Sequence, residues 1–152
     1  MPSKPGHRAL RIGRVSLPRQ AYLLTAVTRH RKALFLDPQL ASTASQCMIR
    51  RESLGDADLL CWVLMPDHWH GLVQLGDGDG LSRVMNRMKT SVSRQLQTQH
   101  GRGDVWAPGF HDRALRSEED LRAIARYIVA NPVRAGLVGH VCDYPYWNCV
   151  WL

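Results

Sequence analysis

Residues 58–75 constrain the fold more than any other stretch of this sequence. They read DLLCWVLM, then Pro66-Asp67, then HWHGLVQL. The first segment is a nearly continuous apolar run, the pattern of a strand covered on both faces. Pro66-Asp67 turns the chain. Residues 68–75 then read as the next strand, antiparallel to the first.

The flanking segments supply the rest of a sheet and its helices. Residues 20–28 (QAYLLTAVT) are rich in strand formers. Asp37-Pro38 opens a helix, with Asp37 as N-cap and Pro38 in the first turn. Leu40, Ala44, Cys47, Met48 and Leu54 share one side of it, and Gly55 ends it. GDGDG at 76–80 is a loop. Residues 81–99 form an amphipathic helix, in which Leu81, Val84, Met85, Met88, Val92 and Leu96 fall within about 120° of arc. A Gly/Pro loop at 100–108 leads to a short strand at 109–116. Ser117-Glu118-Glu119-Asp120 reads as a capping box. It opens a last helix with an apolar face of Leu121, Ile124, Ala125, Ile128 and Val129. Asn131-Pro132 interrupts that helix, and Gly136 is its expected C-cap. The aromatic tail, 140–152, is expected to pack back on the body.

The order β-α-β-β-α-β-α resembles an α+β, ferredoxin-like split βαβ antiparallel sheet, with helices on one face plus a C-terminal helix. The 152 residues fit one compact domain. Residues 1–18 read as a basic arm and 19–152 as that domain. No apolar run approaches the ~18 residues of a membrane-spanning helix. The basic N-terminus is not followed by a secretory apolar segment. Cys47, Cys61, Cys142 and Cys149 contain no C-x-x-C pair and are expected as reduced thiols in a cytoplasmic protein.

Positive charge is concentrated. The net charge is +7. Residues 1–36 hold eight Lys/Arg and no acid, among them Arg8, Arg11 and Arg14, so the remaining residues sum to −1. A second acid-free stretch, 80–103, carries Arg83, Arg87, Lys89, Arg94 and Arg102, and Arg83, Arg87 and Arg94 form a ridge opposite the apolar face. Clustered cations of this kind suit a polyanion, because each neutralised phosphate releases counterions. A solvated basic surface accounts for the same pattern less well.

The chemically suggestive set is Met65-Pro66-Asp67-His68-Trp69-His70. On a strand, His68 and His70 point to one side and Trp69 to the other. Two imidazoles on a rigid strand can hold two positions of a divalent metal, although H-x-H also occurs as ordinary surface or core histidine. Tyr127 and Asn131 are four apart and share a helix face; on spacing alone, packing and helix termination are the preferred explanations. Asp67 reads as a turn residue in preference to a histidine partner. His111 reads as an ordinary strand position, and Trp106 and Trp147 as packing residues in preference to base-stacking platforms.

Together these stretches resemble a known family. TAVTRHRKALF at 25–35, WVLMPDHWHGLVQL at 62–75, VWAPGFHDRALR at 105–116, YIVANPVRAGLV at 127–138 and DYPYW at 143–147 are similar, in that order, to the single-tyrosine HUH transposases, and most closely to the REP-associated tyrosine transposase branch. The resemblance implies that His68 and His70 are metal ligands and that Tyr127 is a nucleophile. It makes Asn131 a third ligand, where relatives often have Gln. It implies Mg²⁺ or Mn²⁺ as cofactor. The partner it implies is single-stranded or hairpin DNA, nicked and rejoined through a 5′-phosphotyrosine. No nucleotide cofactor is expected, and monomer and homodimer both stay open. Arg8, Arg11, Arg14, Arg83, Arg87 and Arg94 are the candidate DNA contacts. Two other readings stand beside this one: a hairpin-DNA-binding protein without turnover, and a metal-dependent DNA hydrolase using water.

Overall fold

The computed structural model describes residues 16–116 and 120–152. The arm residues Arg8, Arg11 and Arg14 lie outside them. Strand β1 (Ala21–Val27) leads to helix α1 (Pro38–Met48) and a single turn, α2 (Arg51–Leu54). The hairpin of β2 (Asp58–Met65) and β3 (His68–Gln74) follows, then the long helix α3 (Leu81–His100). Strand β4 (His111–Ala114), helix α4 (Leu121–Val129), the short α5 (Asn131–Arg134) and strand β5 (Trp147–Cys149) complete the chain. The sheet order is β4-β1-β3-β2-β5, with every neighbouring pair antiparallel. The expected split βαβ arrangement is therefore present, and β5 extends it from the aromatic tail. Among the described residues no helix is long and apolar enough to cross a membrane.

Side-chain alternation divides the sheet into two apolar faces. Tyr22, Leu24, Ala26, Trp62, Leu64, Trp69 and Val73 point to one face, where Leu40, Ala44 and Met48 of α1 meet Val84, Met85, Met88, Val92 and Leu96 of α3. Cys61, Val63, Met65 and Leu72 point to the other, where Ala125, Ile128 and Val129 of α4 cover them. Trp69 is fully buried, and its ring lies where a Cβ on Gly71 would stand. The glycine therefore makes room for the indole that anchors β3.

Helix ends follow local chemistry. The Asp37 carboxylate accepts from Gln39 N at 2.9 Å, as an N-cap should. The first helix breaks after Met48, and Arg50, with extended backbone, restarts it as α2. Gly55 ends that turn at φ 63°, a left-handed value that costs glycine little. Asp120 itself caps α4, accepting from Arg122 N at 2.9 Å and Ala123 N at 3.3 Å. The capping box is thus corrected: Asp120 stands at the N-cap, because its carboxylate reaches both free amides, and Ser117, Glu118 and Glu119 lie outside the described residues. Pro132 opens α5, and Gly136 closes it at φ 74°.

Candidate active site

The candidate site lies on the sheet face that α4 covers. In the β-ladders, His70 stands opposite Thr25 of β1 and Val63 of β2, and His68 opposite Val27 and Met65. The two imidazole centroids are 6.2 Å apart with planes at 78°. Each ring is held through Nδ1: that of His68 lies 2.8 Å from Asp67 Oδ1, and that of His70 lies 2.6 Å from Thr25 Oγ1. In the tautomers that donate from Nδ1, both Nε2 atoms keep a lone pair. Metal-binding histidines are oriented through their second nitrogen in this way. Burial, followed by the nearby His68 and Arg134, lowers the His70 pKa to about 4. A neutral His70 is the form that can coordinate a cation.

Asp67 has more partners than a turn residue needs. Beyond its place in the turn between β2 and β3, its carbonyl accepts from Thr28 N, just past β1, at 3.0 Å. Its carboxylate also holds His68 and lies 3.5 Å from the Arg31 guanidinium. Arg31 and the preceding His30 both have positive φ values, 54° and 57°. The preference for a turn alone is thus corrected, since Asp67 is also the histidine's partner.

Tyr127 and Asn131 join this neighbourhood through Arg134. The Tyr127 ring is 60% exposed, while its neighbours Ala125, Ile128 and Val129 anchor α4 in the core. Arg134 Cζ sits 3.7 Å from the Tyr127 ring centroid. Its Nη2 donates to the Tyr127 carbonyl at 2.7 Å and to Asn131 Oδ1 at 2.8 Å. A carbonyl oxygen has two lone pairs, so the Asn131 amide retains one acceptor site. Among the described residues no three His, Cys, Asp or Glu side chains gather into a metal-holding cluster. The metal donors that the geometry itself presents on this face are the two imidazoles, each oriented through Nδ1.

Other sequence candidates are placed differently. His111 pairs with Thr25 on β4, two strands from His70, which is about 10 Å at ordinary strand spacing. Trp106 is buried with its ring centroid 5.8 Å from that of Phe35. Trp147 donates from Nε1 to Val141 O at 3.2 Å. Both are packing residues, as expected. The arginine ridge on α3 is divided. Arg87 binds Asp79 at 2.8 Å and Ser53 O at 3.1 Å, and Arg83 lies 3.7 Å from Asp79. Arg94 is exposed beside a groove of about 480 Å³ lined also by Arg29, Asn86, Lys89 and Thr90.

Sequence reasoning missed Thr25, Arg31 and Arg134. Only Arg134 left a readable signal: it is three residues from Asn131 and seven from Tyr127, so a helix would bring all three to one side.

Comparison with known proteins agrees with this architecture. A REP-associated tyrosine transposase of Escherichia coli K12 is 32% identical over 89 residues, which are 59% of this chain and 52% of that protein. The chain spans about half the length of the curated relatives it matches. A solved structure of a REP-associated tyrosine transposase bound to a REP hairpin superposes with a TM-score of 0.69 at 26% identity, covering 88% of this chain and 79% of that one. A crystal structure from Deinococcus radiodurans R1 shares the fold, with a TM-score of 0.51 at 18% identity over 86% of this chain and 97% of the other. Residues 16–131 match the family described as "Transposase IS200 like", and with the fold and the residue set above, this chain belongs to the IS200-like transposase family.

Proposed function

We propose that this chain is a divalent-metal-dependent single-strand DNA endonuclease and strand transferase acting at hairpin-forming repeat ends. The observation that carries the reading is the histidine pair: two imidazoles on one strand, both held at Nδ1, on the face that the Tyr127 helix covers. Hairpin DNA as substrate is supported by the solved relative bound to a REP hairpin and by the basic character of this chain.

The residues divide the chemistry as follows. His68 and His70 would hold Mg²⁺ or Mn²⁺ through Nε2, with Asn131 Oδ1 as the third protein ligand. Such a cation, when bound, polarises the scissile phosphate and stabilises charge on the departing oxygen. Tyr127 is the nucleophile. Its phenol is a weak one near pH 7 and works only with electrostatic help, which the Arg134 guanidinium also contributes. The Tyr127 oxygen bonds to phosphorus and the bond from phosphorus to the 3′ oxygen breaks. The phenol loses one proton and the leaving 3′ oxygen gains one. The products are a 5′-phosphotyrosyl protein and a free 3′-OH. Attack by another 3′-OH reverses the sequence and joins strands, so no nucleotide hydrolysis is required.

The test is incubation with labelled single-stranded hairpin DNA carrying a panel of flanks, with Mn²⁺ or EDTA, for wild type and Tyr127→Phe. The expected result is a denaturation-resistant protein–DNA band that requires both Mn²⁺ and Tyr127. Binding without a band across the panel would make the chain a hairpin-binding protein. Metal-dependent cleavage that survives Tyr127→Phe would make it a hydrolase using water.

A further inference from the structure

The Arg134 side chain touches both Tyr127 and Asn131. Its position is over-determined. The guanidinium carbon sits 3.7 Å from the Tyr127 ring centroid, an attraction between a cation and the negative face of the ring. Nη2 spends both of its hydrogens on the Tyr127 carbonyl and Asn131 Oδ1. The Tyr127 carbonyl belongs to the last turn of α4, so a side-chain donor there satisfies a helix-end acceptor.

A guanidinium has five N–H donors in a fixed fork. Two are used here, and among the described residues Nε–H and the Nη1 pair carry no hydrogen bond on this exposed side chain. No carboxylate among the described residues pairs with Arg134. A cation with a planar face of free donors, fixed against a tyrosine, matches the non-bridging oxygens of a phosphodiester. Arg83 and Arg87, by contrast, are engaged by Asp79.

We infer that Arg134 binds the phosphate that Tyr127 attacks, using Nε and Nη1, while Nη2 keeps Tyr127 and Asn131 in register. This rests on the reading of Tyr127 as the nucleophile. It adds a phosphate ligand that is neither a metal ligand nor part of the basic arm. In this arrangement the nucleophile, the third ligand and the phosphate are aligned by one side chain.

The test is a binding scan. Tyr127→Phe and Tyr127→Phe/Arg134→Ala are titrated with a fluorescein-labelled DNA hairpin bearing a single-stranded flank, chosen from a randomised-flank pool for tightest binding. Flank phosphates are replaced one at a time by neutral methylphosphonate. With EDTA present, so that no cation holds the same phosphate, the expected result is one position at which Tyr127→Phe loses about tenfold in affinity, the scale of a charged hydrogen bond, and at which the double variant loses nothing. Arg134→Lys in the same background keeps the charge without the fork, and its loss at that position should be intermediate. Equal losses at every position in both chains would overturn the inference, because a merely structural Arg134 has no preferred phosphate. The readout is binding, so it separates from the covalent reading. A position-specific loss without any wild-type adduct would keep Arg134 as a phosphate ligand and remove the nucleophile. An adduct without a position-specific loss would do the reverse.

Discussion

Thr25 Oγ1 meets His70 Nδ1 at 2.6 Å across the β1–β3 ladder, from a position directly opposite it in register. The contact fixes the ring of one candidate ligand from a neighbouring strand. Thr25→Val keeps the branched shape and removes the oxygen, so the fold should persist while the ring loses its anchor. Loss of such a partner weakens metal affinity by roughly 10–100-fold. Titration of Mn²⁺ followed by electron paramagnetic resonance would read this directly. Unchanged Mn²⁺ affinity in Thr25→Val would remove the oriented-imidazole account of the site.

Gly71 faces Trp69 on the same side of β3, and an added Cβ would overlap the indole. Trp69 is fully buried. Gly71→Ala should therefore cost about 2 kcal/mol as an overpacked core. For a domain of this size that lowers Tm by roughly 4–8 °C. A thermal melt that matches wild type would show that the core relaxes around the extra methyl.

The hairpin was legible because its apolar run, Pro-Asp turn and H-x-H alternation all point to the same geometry. The helix boundaries at Asp37, Gly55 and Gly136 were legible for a similar reason, since each carries a residue with one local role. Strand β5 was not. Trp147, Asn148 and Cys149 are too few to show alternation, and only pairing with Val63, Trp62 and Cys61 makes them a strand. Within the candidate site, His68, His70, Tyr127 and Asn131 were singled out by the family resemblance, since their spacing alone left ordinary histidines, packing and helix termination as the readier explanations. Thr25 was not, because its role comes from a partner 45 residues away. Asp67 was half visible: its turn is local, and its carboxylate contacts are set by the loop that brings Arg31 alongside.

The α3 arginines separate by what already holds them. Arg94 is exposed beside the groove shared with Arg29 and Lys89, whereas Arg87 is engaged by Asp79 and Ser53. Arg94→Ala should weaken hairpin DNA binding across sequences and reduce the slope of log affinity against log salt by about one. Its melting temperature should stay near wild type. Arg87→Ala should show the opposite pattern, a lower melting temperature with little change in salt slope. Equal salt slopes for Arg94→Ala and wild type would place the DNA elsewhere on the surface.

The Asp79–Arg87 contact also sets an acid limit on stability. The hydrogen bond from Arg87, opposed by burial, holds the Asp79 carboxyl below its ordinary range. Arg87 is correspondingly raised by Asp79. A carboxylate depressed in the folded state contributes stability above its unfolded pKa and loses it as pH falls through the folded value. The loss therefore lies below about pH 4, where free Asp takes up its proton, and neutral pH leaves it untouched. Asp79→Asn removes the charge at every pH. Urea midpoints should therefore separate wild type from Asp79→Asn near neutrality and converge as pH falls below 4. The contact joins the loop before α3, α3 itself and the α2 turn, since Arg87 also binds Ser53 O. A gap that stays constant across the acid range would mean that the asparagine variant fails through lost shape, with no contribution from the ion pair.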